Sequence, residues 1–172
     1  GKADDLSDEE ANKLYKILAM GALKYFILKV DPQKRMVFNP EESIDFNGNT
    51  GPFIQYTYTR IQSLLKKAAL NGFHASVNNF PPHIEHKEKE LIKLLYQYPE
   101  IIQQAAETYS PALIANYIYS LTREYNQFYQ EIPILKAEKT ELITFRLQLS
   151  LFVGETIKSS LKLLGIDVPE RM

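Results

Sequence analysis

The stretch DFNGNTGPFIQYTYTR, residues 45–60, joins a polar loop to the start of a helix. The junction reads Thr-Gly-Pro at residues 50–52, and proline suits a first helical turn because its missing N–H would have no partner there. The helical pattern continues to about Leu70, where Asn71 and Gly72 form a typical stop signal. The stretch therefore predicts a long helix introduced by a loop, and most of the chain repeats this helical pattern.

Helical periodicity and helix-start signals predict five further helices. Ser7 and Glu10 form a capping box at the start of the first, and Asp31-Pro32 ends it. The other four helices cover roughly residues 87–98, 100–109, 111–129 and 138–164, and a break at Pro99 separates the first two of these. The inward face of the last helix is predicted to carry Leu142, Phe145, Leu149, Phe152, Val153, Thr156, Ile157, Leu161 and Leu164. The predicted fold is all-α, a single helical bundle over residues 1–172.

The composition narrows the class of protein. The 172 residues are 45% hydrophobic and 24% charged, which is ordinary for a folded soluble domain. A net charge of −1 gives no overall positive field, so any nucleic-acid surface must be a local patch. Cysteine is absent, which excludes disulfides and thiolate metal sites. No signal peptide or membrane-spanning run is recognised, and the start GKADDLSDEE is interpreted as the interior of a longer protein.

Residues for catalysis are sparse in this sequence. The loop glycines Gly48 and Gly51 are too few for a phosphate-binding loop. His74, His83 and His86 lie in or beside the linker predicted for residues 73–86, and exposed loop histidines are favoured over a metal site. Pairs of acidic residues stand at the predicted helix starts, where the positive end of the helix dipole stabilises their charge. We expect no catalytic residue and no metal site in this chain.

Two rings and a cation share one face of the helix that follows the loop. Phe53, Tyr56 and Arg60 are spaced i, i+3 and i+7. Rings can stack on an unpaired base, and arginine offers a planar fork to base edges or phosphates. Aromatic residues at helical spacing are more often core, so the pattern alone favours core for the two rings. Tyr129 differs, since it lies off the apolar stripe that Tyr125 and Phe128 continue.

Four segments resemble one family. GALKYF, FNPEESIDFNGNTGPFIQYTYTRIQSLL, YIYSLTREYNQFYQEIPIL and LKLLGIDVPERM closely resemble the carboxy-terminal part of arginyl-tRNA synthetase, and the resemblance covers essentially the whole chain. It implies the all-helical anticodon-binding domain of a class I synthetase. The full enzyme of that family uses ATP and Mg to attach arginine to its tRNA. Its catalytic signatures do not occur here, so this chain alone is expected to be inactive and to need no cofactor.

The resemblance also implies a binding site. It carries the family's anticodon-contacting positions over to Phe53, Tyr56, Arg60, Tyr129 and Met172. A loop beside the anticodon would then comprise Phe46, Asn47, Gly48, Asn49, Thr50 and Gly51. The tail is expected to lie against the bundle with its carboxylate near Arg60 and Tyr129. Gly21 stands where many members of the family have aspartate, which is expected to alter packing or the contact with the catalytic domain.

The resemblance further implies the partners and the location. The implied partners are an arginine tRNA and the enzyme's own catalytic domain, and no membrane is involved. The protein is expected to be cytoplasmic and monomeric. A helical protein-interaction or scaffold domain that uses the tyrosine-rich face is the alternative function.

Overall fold

A computed structural model describes residues 6–76 and 81–172 of the chain. The described part contains six helices: α1 Asp8–Leu28, α2 Pro40–Ser43, α3 Gly51–Leu70, α4 His86–Glu107, α5 Pro111–Glu131 and α6 Thr140–Leu163. The all-α prediction is confirmed. The first five residues, and residues 77–80 of the predicted linker, lie outside the described residues. No helix in the described ranges is long and apolar enough to cross a membrane.

Local capping explains where α1 and α3 begin. The Ser7 hydroxyl accepts from the Glu10 N–H at 3.3 Å, and the Glu10 carboxylate accepts from the Ser7 N–H at 3.0 Å. That backbone hydrogen bond lowers the pKa of Glu10 below its usual value. The Thr50 hydroxyl accepts from the Phe53 N–H at 3.3 Å, and Gly72, at φ 77°, follows the end of α3 as predicted. The short helix α2 was not predicted, although Asn39 caps it and proline occupies its first position.

The predicted break at Pro99 is wrong, because α4 continues through it as one helix. A proline inside a helix removes one hydrogen bond and crowds the preceding turn, at a cost of about 3 kcal/mol. Apolar residues on both sides of Pro99 pack against the core, and their burial outweighs that cost. The Tyr117 hydroxyl also donates to the Leu94 carbonyl at 2.8 Å, just before the proline. These packed side chains are Leu91, Leu94, Leu95, Tyr98, Ile101, Ile102 and Ala105.

The core lies between α3, α5 and α6, with α1 packed on α3 and α4 packed on α5 and α6. Tyr125 and Phe128 are fully buried, as the apolar stripe of α5 predicts. The prediction for α6 is wrong at Phe152, which is 47% exposed, while its neighbour Val153 is fully buried. The largest fully buried side chains are Tyr25, Tyr125, Phe128, Ile54, Ile61, Leu91, Ile118, Leu121, Leu147, Ile157, Leu161 and Gln55.

Two glycines let α1 and α3 approach closely. A Cβ placed on Gly51 would lie 2.7 Å from the carbonyl carbon of Gly21, and a Cβ on Gly21 would lie 2.8 Å from the side-chain Cδ of Gln55. Both distances are shorter than van der Waals contact. At Gly51 the obstacle is backbone, so that position does not accommodate a side chain in this packing, whereas at Gly21 the amide end of the Gln55 side chain would have to shift. Glycine at position 21, where many members of the family have aspartate, therefore affects packing, which is one of the two outcomes expected for it.

A buried ion pair ties α4 to α6. Arg146 Nε donates to Glu88 Oε1 at 2.6 Å, and Arg146 Nη1 donates to the Pro133 carbonyl at 2.9 Å. Glu88 Oε2 accepts from the Glu85 N–H at 2.7 Å, so both carboxylate oxygens are paired. Because Glu88 is 0% exposed and Arg146 6%, neither charge has water as a substitute partner.

We predict that Arg146→Met destabilises the fold by about 3–5 kcal/mol, since it leaves the buried Glu88 carboxylate without its counter-charge. The free energy of unfolding from urea denaturation measures this loss. Lys93→Met is the matched control, because Lys93 pairs with Glu90 at 2.8 Å on the exposed side of α4 and its loss should change stability little. Equal effects of the two substitutions would contradict the role given to the buried pair.

We predict that Gly51→Ala costs about 1–3 kcal/mol of stability, because the added methyl forces α1 and α3 apart. Gly48→Ala is the control, since the atoms nearest its Cβ would be the exposed Asp45 carboxylate at 3.2 Å and the Thr50 methyl at 3.5 Å, an ordinary contact. Thermal denaturation of both variants compares them directly. A Gly51→Ala protein as stable as the parent would show that the helix contact tolerates a side chain.

Candidate nucleic-acid interface

Helices α3 and α5 lie side by side and form a surface groove. The rings of Phe53 and Tyr119 have centroids 5.7 Å apart, and Arg60 meets Asn126 and Tyr129 further along both helices. Residue numbers increase together on the two helices, so they run in the same direction. The groove therefore brings together side chains that are about 70 residues apart in the sequence.

Arg60 lies over the ring of a tyrosine. Its guanidinium carbon is 3.9 Å from the centroid of the Tyr129 ring. Arg60 Nη1 donates to Asn126 Oδ1 at 3.2 Å, and Asn126 Nδ2 donates to the Thr57 hydroxyl at 2.9 Å. Thr57 in turn donates to the Phe53 carbonyl at 3.1 Å. This chain of hydrogen bonds fixes the orientation of the guanidinium relative to the ring.

Tyr56 is free to meet a ligand. It is 47% exposed and lies one helical turn before Arg60 on α3. The ring of Phe46, from the preceding loop, stands edge-on to it with centroids 6.4 Å apart. Phe53 is half-buried against Tyr119 and the core, so the core interpretation holds for Phe53 and fails for Tyr56. The exposed rings at this end of the groove are therefore those of Tyr56 and Phe46.

A buried tyrosine holds the loop at residues 46–51. The Tyr25 hydroxyl lies 2.6 Å from Asn49 Oδ1 and 2.8 Å from the Ala115 carbonyl oxygen, which links α1, the loop and α5. Burial raises the pKa of Tyr25 far above its usual value, so the hydroxyl keeps its proton. Lys29 donates to the Asn49 carbonyl at 3.0 Å, and Thr50 donates to the Asp45 carbonyl. The inner side of the loop is fixed, while Phe46 and Asn47 remain exposed.

A depression of about 630 Å³ opens at the far end of the groove, beyond Arg60 and Tyr129. Lys67 of α3 and Lys136, which follows α5, bring positive charge to it, and Glu131 is its acidic residue. Its other lining residues are Ser63, Leu64, Gln130, Ile132, Pro133, Ile134 and Leu135.

The tail packs against α1 and α3. The Asp167 carbonyl accepts from Gln55 Nε2 at 2.7 Å, and Arg171 pairs with Glu10 of α1 at 3.0 Å. Met172 is half-buried and is absent from the residues that line the depression beside Arg60. The structure thus brings Arg60 and Tyr129 together. The tail is anchored on α1 and Gln55, and the expected position of the Met172 carboxylate beside Arg60 and Tyr129 stays a prediction.

Three residues of this site were missed from the sequence: Tyr25, Thr57 and Asn126. The spacing of Asn126 and Tyr129, i and i+3, places both on one side of a helix and would have indicated Asn126. Tyr25 carries no such signal, because its contacts to Asn49 and Ala115 depend on how α1, the loop and α5 are arranged. Within residues 6–76 and 81–172, no group of three or more histidines and carboxylates is placed to hold a metal ion.

Solved structures share this fold. The arginyl-tRNA synthetase of Thermus thermophilus matches with a TM-score of 0.86 and 30% identity, over 99% of this chain and 29% of that one. The arginyl-tRNA synthetase of Plasmodium falciparum matches with a TM-score of 0.78 and 25% identity, over 94% of this chain and 28% of that one.

Curated relatives are closer in sequence. The chain is 59% identical over 172 residues to the arginine–tRNA ligase of Flavobacterium psychrophilum and 55% identical over 174 residues to that of Parabacteroides distasonis. All of this chain is matched in both, but it spans only 28% and 29% of their lengths. Residues 54–172, more than half of the chain, match the family described as DALR anticodon binding domain. The chain belongs to the DALR anticodon-binding domain family.

Proposed function

We propose that the groove between α3 and α5 reads the anticodon loop of an arginine tRNA. The observation that carries this proposal is the Arg60 guanidinium held 3.9 Å over the Tyr129 ring, one turn from the exposed ring of Tyr56. Rings accept stacked bases, and a guanidinium fixed in orientation can discriminate between base edges. Of the predicted site residues, Tyr56, Arg60 and Tyr129 support this proposal, whereas Phe53 packs against the core and the role of Met172 stays a prediction.

The hydrogen bonding of Arg60 leaves it able to bind a nucleotide. Arginine has five N–H donors, and one of them is used by Asn126. Within the described residues, no further acceptor is found for the others. They are available for a base edge or a phosphate, and the guanidinium does not need to be reoriented first.

The loop at residues 46–51 forms the other wall of the proposed site. It is tied down by hydrogen bonds of the Asn49 and Thr50 side chains, so Phe46 is presented at a defined position next to Tyr56. A base could stack on either ring without ordering the loop first. Ordering of a binding loop costs affinity, and a loop that is already held avoids that cost.

The activity of the whole protein is a further proposal. This chain spans 28% of the length of its relative from Flavobacterium psychrophilum, whose name is arginine–tRNA ligase. We infer that it acts as the tRNA-binding part of such an enzyme in the cytoplasm. Attachment of arginine, with the ATP and Mg it requires, would then be carried out by a catalytic domain outside these 172 residues.

A salt titration of RNA binding tests the proposal against the alternative of a protein-interaction domain. The ligand is the anticodon stem-loop of an arginine tRNA, and the measurement is the dissociation constant at several salt concentrations. Phosphate contacts give a log–log slope of about −0.7 for each phosphate neutralised on a single strand. Absence of binding, or binding with no slope, would contradict the proposed function.

We predict that Tyr56→Ala weakens binding of this stem-loop by about 1–3 kcal/mol, the range for one lost stacking partner. The fold should be retained, because Tyr56 is exposed. Tyr96→Ala is the matched control, since Tyr96 is 86% exposed on α4 and lies outside the groove. Fluorescence anisotropy gives the affinities, and thermal denaturation checks the fold. Equal losses in the two variants would show that Tyr56 does not contact RNA.

We predict that Arg60→Lys weakens binding by about 1–3 kcal/mol, although the charge is kept. Lysine cannot lie flat on Tyr129 and bind a base edge through two donors at once. The salt slope should stay close to that of the parent, because one cation replaces another. If Arg60→Lys binds as tightly as the parent, then Arg60 supplies only charge.

A further inference from the structure

We propose that Tyr25 is a positioning residue that makes Asn49 a hydrogen-bond acceptor of the proposed RNA site. In this arrangement the buried Tyr25 hydroxyl holds the NH2 end of the Asn49 amide, and the amide oxygen faces the open side of the loop at residues 46–51. The inference rests on the proposed function. It adds to that function a residue of α1 that does not itself touch RNA.

The single proton of the Tyr25 hydroxyl limits which contacts it can make. Tyr25 Oη lies 2.8 Å from the Ala115 carbonyl oxygen and 2.6 Å from Asn49 Oδ1. Burial raises the pKa of Tyr25 far above its usual value, so the hydroxyl stays neutral and has one proton to donate. Two oxygens at these distances cannot both accept it. One of the contacts would then hold two oxygens together with no proton between them.

A half-turn of the Asn49 amide removes this conflict. The oxygen and NH2 ends of an amide have nearly the same size, so the turn exchanges them without moving the rest of the loop. Asn49 Nδ2 then donates to Tyr25 Oη, while the hydroxyl donates to the Ala115 carbonyl. The Ala115 carbonyl is backbone within α5 and cannot turn in this way, so Asn49 is the residue that adapts.

Burial makes this orientation the favoured one. Tyr25 is 0% exposed, so water does not relieve an unpaired contact at its hydroxyl. Lys29 donates to the Asn49 backbone carbonyl at 3.0 Å, which holds the backbone while the side-chain amide turns. Tyr25 therefore determines which end of the Asn49 amide points inward and which points outward.

The outward end of the Asn49 amide is accessible to a ligand. It makes no hydrogen bond within the part of the chain that the structure describes, and it is not among the buried polar atoms that lack a partner there. Asn49 is half-buried, and its neighbour Asn47 is exposed. In the proposed orientation the solvent-accessible end of the amide is an oxygen, which only accepts.

An acceptor at this position gives the loop a chemical preference. It takes a donor of the RNA strand, either an N–H group of a base or the 2′-hydroxyl of a ribose, and it repels groups that only accept. Arg60, on α3, has only donors. The proposed site thus combines a donor on the helix with an acceptor on the loop.

Nuclear magnetic resonance of the free protein tests the orientation without RNA. If Nδ2 donates to Tyr25, one side-chain N–H proton of Asn49 exchanges slowly with water, and the slow exchange is lost in Tyr25→Phe. Asn47 is the matched control, because it is exposed on the same loop and its side-chain protons should exchange fast. Asn49 protons that exchange as fast as those of Asn47 would place the oxygen on Tyr25 and overturn the inference.

A double-mutant cycle tests whether Tyr25 acts through Asn49. The variants are Tyr25→Phe, Asn49→Ala and their combination, and the measurement is the dissociation constant for the anticodon stem-loop of an arginine tRNA. Each single variant should weaken binding about 2- to 10-fold, the range for one hydrogen bond. The double variant should bind as Asn49→Ala does, because the hydroxyl then has no amide to hold. A full further loss in the double variant would show that the hydroxyl only supports the fold, which overturns the positioning role.

Tyr117→Phe is the matched control for the cycle. It removes another buried hydroxyl, which donates to the Leu94 carbonyl at 2.8 Å on the α4 side of α5. Its RNA affinity should equal that of the parent, and thermal denaturation compares its stability with that of Tyr25→Phe. If Tyr117→Phe weakens binding as much as Tyr25→Phe does, the effect comes from lost stability and the inference is overturned.

The remaining outcomes separate this inference from the proposed function and identify the donor. If the parent does not bind the stem-loop, both are overturned. If Tyr56→Ala weakens binding while Tyr25→Phe and Asn49→Ala bind as the parent does, only the acceptor role is overturned. A stem-loop with deoxyribose throughout its loop distinguishes the two donors. An Asn49→Ala loss that persists on it assigns a base N–H group, and a loss that disappears assigns the ribose hydroxyl.

Discussion

The contact between Gly21 of α1 and Gly51 at the start of α3 determines where the side chains of the proposed RNA site stand. Because Gly51 has no Cβ, it meets the backbone of Gly21 directly, while the missing Cβ of Gly21 leaves room for the side-chain amide of Gln55. That contact fixes the first turn of α3, and Tyr56 and Arg60 follow within its next turns. The same part of α1 supplies Tyr25, whose hydroxyl reaches Asn49 and Ala115 and so sets the loop against α5.

The rigidity of Arg60 has consequences for recognition. An arginine in solution samples many rotamers, and ordering such a side chain on binding costs about 0.5–1.5 kcal/mol. Here Asn126 and the ring of Tyr129 hold the guanidinium before any ligand arrives. A cation over a ring contributes about 0.5–1 kcal/mol where the site is exposed, which is comparable to that cost. The protein thus orders the Arg60 guanidinium while it folds, so that in the proposed site the binding free energy of RNA would not be used for this ordering.

Much of the fold is predictable from the sequence, because capping and periodicity are local. The capping box at Ser7 and the start of α3 at Thr50 were predicted from such local signals. The helix break predicted at Pro99 was wrong, because tertiary packing outweighs the local cost of a proline inside a helix. The pairing of Arg60 with Tyr129 joins two helices, so residue spacing cannot predict it, and it was expected only through the family resemblance. Local reasoning also could not find Tyr25 or the anchorage of the tail by Gln55, since both depend on long-range contacts.

The overall charge of the chain bears on how such a groove can be selective. A strongly basic domain binds any RNA through its phosphates, and its affinity carries little information about sequence. With a net charge of −1, this chain has no such general attraction, and its groove concentrates positive charge at Arg60, Lys67 and Lys136. Binding then requires a strand that fits the rings and the cations together. In the proposed site, stacking on Tyr56 and the fork of Arg60 would then decide which loops bind.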